Sequence, residues 1–169
     1  WPLLSFMLVA LLLDQSSTSL KVEAKGSTSF VVHIAAGILF GGWWGGLITA
    51  ISTVIGQLTI GNPPLRLLFN VCQRAAAVML AVLTYHLLGG SLPPAYLQVV
   101  GSVNSSALQR DFFLFFAYAA TYFAVNSMAV SGVVAISSER SFRDVWNLNT
   151  RGVIAYDLGA SGIALFLAW

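Results

Sequence analysis

Gly41-Gly42-Trp43-Trp44-Gly45-Gly46 stands inside an uncharged run that reaches from Gly26 to Leu65. As one helix that run would be about 60 Å long at ~1.5 Å per residue, about twice the ~30 Å hydrocarbon thickness of a bilayer. The chain must therefore turn within the run. Four glycines let it bend, and two indoles favour the level of the lipid headgroups. The expected result is a tight hairpin between a second span, about 29–41, and a third, about 43–60. Gly37, Gly41 and Gly45 recur at four-residue spacing, which lets backbones approach closely across a helix interface.

Working outward, the same shortage of charge marks the other spans. Of the 169 residues, 57% are hydrophobic and 8% charged, against about 45–50% and about 25% in soluble domains. Residues 1–13 form a first span closed by Asp14. After Asn62-Pro63-Pro64, which cannot continue a helix, a fourth span covers about 66–88 and stops at Gly89-Gly90-Ser91 and Pro93-Pro94. A polar loop follows, with room for a short interfacial helix around 95–103. An aromatic-rich fifth span covers about 112–136 and a sixth about 152–169. The expected fold is all-α, a polytopic bundle of about six transmembrane helices forming a single integral membrane domain over 1–169. Trp1 is no initiator Met and the apolar run begins at once, so the chain reads as an excerpt of a longer protein.

The charges fall unevenly between the two sides. Lys21, Lys25, Arg66, Arg140, Arg143 and Arg151 lie in the odd-numbered connections, with Arg74 just inside the fourth span, whereas the even connections hold Arg110. The positive-inside rule then puts the odd connections in the cytoplasm. A net charge of +2 is too small to suggest nucleic-acid binding. Cys72 is alone, which excludes an internal disulfide or a cysteine zinc site. Phosphate-loop, dinucleotide and zinc-protease signatures are missing, and the expectation is a non-catalytic module with no metal site.

Several residues could still bind a ligand or join helices. Asn70, Gln73 and Arg74 share one helix face, and Asn126 lies in the fifth span; such amides either glue helices together or line a small-molecule pocket. Asp157 is a carboxylate inside a span, hence a ligand or proton-site candidate, or else a partner of Arg151 or Arg74 near the interface. His33, followed by small residues, could ligate a pigment or heme, or hydrogen-bond a neighbouring helix; which cofactor, if any, is unknown. The stretch 137–146 is amphipathic, with Phe142, Val145 and Trp146 on one side and Arg140, Arg143 and Asp144 on the other. It suits the membrane surface, with its arginines near anionic lipid.

A family resemblance is carried by Gly26-Ser27-Thr28-Ser29-Phe30, Leu39-Phe40-Gly41-Gly42-Trp43-Trp44-Gly45, the run Pro63-Pro64-Leu65-Arg66-Leu67-Leu68-Phe69-Asn70-Val71-Cys72-Gln73, Leu87-Leu88-Gly89-Gly90, and Tyr122-Phe123-Ala124-Val125-Asn126-Ser127. Together these resemble the N-terminal multi-span membrane sensor region of bacterial signalling proteins with HD-GYP or GGDEF output domains. The resemblance implies a sensing or anchoring module for a cytoplasmic output domain that makes or degrades cyclic dinucleotides. No HD, GYP or GGDEF sequence is present, so no catalytic residue is carried over. The alternative is an accessory structural subunit of a large photosynthetic or respiratory membrane complex, and a weaker third is a small-solute transporter component. Expected partners are the lipid bilayer and either an output domain or other membrane subunits.

Overall fold

The computed structural model describes residues 2–15, 19–21, 24–25, 29–92, 105–151, 157 and 159–164. The elements are α1 (Pro2–Gln15), β1 (Ser19–Lys21), β2 (Ala24–Lys25), α2 (Ser29–Ile60), α3 (Pro64–Leu87), α4 (Ser105–Ser138) and α5 (Phe142–Thr150), followed by helical residues at 157 and 159–164. The fold is helical, with one addition to the all-α expectation. In the first connection β1 and β2 form a small antiparallel ladder pairing Ser19 with Lys25 and Lys21 with Ala24. This segment is polar and two-sided, so it can pair its backbone groups locally rather than in a helix.

Three stretches are long and apolar enough to cross a membrane: Ser29–Ile60, Pro64–Leu87 and Gln109–Ser138. A shorter apolar helix covers Pro2–Leu13. The expected interfacial helix at 95–103 and most of the expected sixth span lie outside the described residues. Residues 105–111, expected in a loop, belong to α4, because nothing in Ser105 to Asp111 breaks a helix and a helix can continue past the apolar layer.

α2 is interrupted at a single residue, Gly41, with φ 80° and ψ 173°, a backbone region that essentially only glycine occupies. There the chain doubles back. His33 Nε2 lies 3.2 Å from Ser52 Oγ, groups that a straight helix would hold about 28 Å apart at ~1.5 Å per residue. Trp43 and Trp44 are exposed at this bend. The first arm, 29–40, covers about 18 Å and the second, 42–60, about 28 Å at ~1.5 Å per residue. Only the second arm thus approaches the ~30 Å of hydrocarbon.

The first arm is the centre of the bundle. Every residue from Ser29 to Ile38 is buried, as expected of a helix that is apolar all round. α1 lies against it through the Phe6–Phe40 ring pair, with centroids 5.3 Å apart. α3 and α4 complete the cover through a core that includes Ile34, Ile38, Val78, Val82, Tyr85, Phe115 and Tyr118. Close approach depends on Gly37 and Gly45. A Cβ on Gly37 would meet Tyr118 Oη at 2.3 Å and Val78 Cγ1 at 2.9 Å, and one on Gly45 would meet Gly37 Cα at 2.5 Å. The four-residue glycine spacing therefore works as a palindrome about Gly41, since Gly37 and Gly45, each four residues from the bend, face each other across the hairpin.

At the opposite end Gly61, with φ 72°, ends the second arm, and Asn62 N donates to Gln57 O at 3.3 Å. Pro64 then starts α3, where a missing N–H costs nothing. Thus α1 and α3 run in opposite directions relative to the bend, and α4 descends from it, so that Arg66, Arg140 and Arg143 stand at the end away from Gly41. Arg110 stands at the Gly41 end, its Nη2 donating to Gly89 O at 2.9 Å.

Candidate functional site

Two turns into α3, Asn70 and Gln73 are one helical step apart on the inward face, and both find amide partners on neighbouring helices. Gln73, buried, donates through Nε2 to Asn126 Oδ1 on α4. Asn70 Nδ2 donates to Gln57 Oε1 on the second arm of α2 at 2.8 Å. The same oxygen accepts from Asn62 Nδ2, also at 2.8 Å. Five carboxamides, four from α2, α3 and α4 and one, Asn62, from the turn between α2 and α3, thus form a layer across the bundle. Tyr118 closes the triangle higher up by donating its hydroxyl to Ile34 O at 2.8 Å.

The layer lies where the central arm begins. Phe30 packs edge-on against Phe123, with ring centroids 5.2 Å apart, and Asn126 is one turn beyond Phe123 on the same helix. Apolar filling would leave helices free to slide and rotate; amides specify one register because each donor needs its own acceptor. They do so without the cost of burying a charge. Along the second arm, Thr49, Thr53 and Gln57 form a stripe at four-residue spacing, all buried. The Thr49 and Thr53 hydroxyls have no hydrogen-bond partner among the described residues, although threonine in a helix can usually reach a carbonyl in the preceding turn.

His33 sits above this stripe. The Ser52 hydroxyl donates to Thr49 O at 3.1 Å, which leaves the imidazole Nε2–H as the donor to Ser52 Oγ. The room beside Gly37 that suggested a flat ring is filled by Tyr118 and Val78, so His33 joins the two arms instead of facing a pigment-sized space. Asp157 is half-buried in the last helical stretch, outside the bonded amide set. Among the described residues no group of three His, Cys, Asp or Glu side chains converges on a metal-sized site.

The basic loop resolves into α5, which returns along the end of α4. α4 ends at Ser138, and Glu139, with a φ of 55°, reverses the chain. Ser141 then caps the new helix, its Oγ accepting from Asp144 N at 3.4 Å. Val145 is buried, and Asn149 Nδ2 donates to Ser131 Oγ at 3.2 Å. Trp146 is half-buried and carries Phe142 stacked on it at 5.8 Å, while Arg140 and Arg143 face outward. A helix this short depends on its cap. Ser141→Ala should cost about 1 kcal/mol of helix stability and appear as faster amide hydrogen exchange across 142–150, with α3 unchanged.

Sequence reasoning did not single out Gln57, Asn62, Ser131 or Asn149. Gln57 left a signal, since Thr49, Thr53 and Gln57 make a polar stripe at four-residue intervals in an otherwise apolar helix. Asn62 was legible only as part of a helix-breaking turn, and its bond needs the folded end of the hairpin.

Among known proteins, the family profile MASE9, of the membrane-associated sensor domains, matches residues 4–167. No curated protein and no solved structure gives a significant match.

Proposed function

Because the chain belongs to the MASE9 family of membrane-associated sensor domains, we propose that it is a non-catalytic sensing or anchoring module that controls a cytoplasmic signalling output domain. The family match over nearly the whole chain carries this reading. The architecture supports it in two ways. The amide layer ties the second arm of α2 to α3 and α3 to α4, the Tyr118 hydroxyl of α4 bonds Ile34 O on the buried first arm, and α4 leads into α5, so a change in packing at the centre has a covalent and hydrogen-bonded path to the basic end of the bundle. That end bears Arg66, Arg140 and Arg143, the side the positive-inside rule assigns to the cytoplasm of a bacterial inner membrane.

The amide layer is the element expected to have two arrangements. Exchange of one amide pairing for another costs little, because each carboxamide offers both a donor and an acceptor. In the native protein with whatever domain it controls, Asn126→Leu should therefore change cyclic-dinucleotide output severalfold at equal membrane abundance. Unchanged output in Asn126→Leu and in Gln73→Leu, with both proteins folded and inserted, would refute control through this layer. Finding no output domain either fused to the chain or co-purified with it would refute the signalling role itself.

A further inference from the structure

At the Gly41 end an apolar groove of about 550 Å³ opens on the side of the bundle, lined by Trp43, Met79, Val82, Leu83, His86 and Leu92. We propose that it binds one anionic phospholipid, with an acyl chain laid along α3 and the phosphate held near Arg110, His86 and the Trp43 indole. This site does not depend on the signalling role proposed above.

Met79, Val82, Leu83 and His86 recur at the three- and four-residue intervals that make one face of α3. The polar tips gather at one end of that face. His86 is next to the last residue of α3, and Trp43, 72% exposed, is two residues past the bend. Met79 lies about two turns deeper, about 10 Å along the helix at ~1.5 Å per residue. The groove is therefore apolar in its depth and able to hydrogen-bond at its mouth, which is the pattern of an amphiphile lying parallel to the helices.

Charge decides which amphiphile. Gly89 N donates to His86 O at 2.9 Å in the turn after α3, and Arg110 Nη2 donates to the Gly89 carbonyl. The guanidinium is thus fixed to the turn that joins two groove residues, His86 and Leu92. Gly89 has φ 87°, a backbone conformation that favours glycine, and without a Cβ it lets the Arg110 guanidinium lie directly against the turn. One donor is used and four remain on an exposed side chain, whereas the adjacent Asp111 is buried. A guanidinium fork matches phosphate in geometry, and the indole favours the headgroup level. A zwitterionic lipid offers no net charge to complement the cation; an anionic phospholipid does.

The full chain, delipidated in neutral detergent, is titrated with phosphatidylglycerol or phosphatidylcholine, and bound lipid is counted by native mass spectrometry. One phosphatidylglycerol should be retained with about a tenfold preference, the low end of what a charge-assisted hydrogen bond supplies. Arg110→Gln should abolish the preference, and Leu83→Trp, which fills the groove, should abolish retention of either lipid. Met79→Phe replaces Leu83→Trp if the latter does not fold. Retention unchanged in a folded groove-filling variant would overturn the proposal. So would a preference that survives Arg110→Gln, or one that is lost only in an Arg140→Gln/Arg143→Gln protein, which would place the lipid at the other end. Tighter retention of a free fatty acid than of phosphatidylglycerol would overturn it as well.

Discussion

Gly45→Ala should push the two arms of α2 apart and destabilise the protein strongly, whereas Gly42→Ala, three residues earlier in the same motif, should leave its stability nearly unchanged. The contrast follows from what each new methyl would meet. At Gly45 the nearest atoms are Gly37 Cα at 2.5 Å, Gly37 N at 2.8 Å and Ala36 C at 3.2 Å, all main chain. Backbone cannot rotate away as a side chain can, so the arms must move apart. At Gly42 the nearest atoms are Val82 Cβ and Cγ1, both at 3.5 Å, which is ordinary contact. Inserting a methyl into a packed core commonly costs about 1–3 kcal/mol, and the rigid main-chain contact puts Gly45 at or above the top of that range. A loss of about 3 kcal/mol lowers the unfolding midpoint by roughly 6–12 °C in a chain of this size. Thermal unfolding in mild detergent, followed by circular dichroism, measures it. Equal midpoints for Gly42→Ala and Gly45→Ala would mean that the arms are not closed on each other at this point.

The second large effect is expected at Gln57. Its Oε1 is the shared acceptor for Asn62 and Asn70, so Gln57→Leu leaves two amide donors without their acceptor. A single hydrogen bond between membrane helices averages about 0.6 kcal/mol; here two bonds to one acceptor are lost together, and both stranded donors sit on half-buried side chains. The variant should therefore lose more than the average bond. The decisive measurement is a double-mutant cycle with Asn70→Leu. In the Gln57→Leu background Asn70→Leu should cost less than it does alone, because the donor it removes is already stranded, and a coupling of about 0.5–3 kcal/mol is the expected scale for contacting residues. Strict additivity would show that the two side chains do not share a bond.

Much of the bundle was legible before folding, for reasons tied to particular residues. Charge-free length required a turn between Gly26 and Leu65, and the glycines near Trp43 and Trp44 were where a turn could form. Asn70 and Gln73 could be placed on one face of a helix, because helical spacing is local. Their partners could not be named. Gln73 bonds Asn126 across 53 residues of sequence, and no periodicity within either helix indicates which faces will meet. For His33 a hydrogen bond to a neighbouring helix was the favoured reading, with ligation of a flat ring as the alternative, since small residues beside a histidine permit both. Tyr118 and Val78, arriving from other helices, fill that space.

By itself the sequence determined that this is a chain of apolar helices joined by short polar segments, with its lysines and arginines other than Arg110 in or beside alternate connections, because hydration of charge and the length of a helix in hydrocarbon act on composition and spacing alone. Only the tertiary structure decided that a single glycine makes the reversal, that the first arm of α2 becomes the buried centre, and that five carboxamides from three helices and the turn between two of them meet in one layer. Those outcomes depend on main-chain contacts of glycines eight residues apart and on donors matched to acceptors from distant segments, and such distances exist only once the helices have packed.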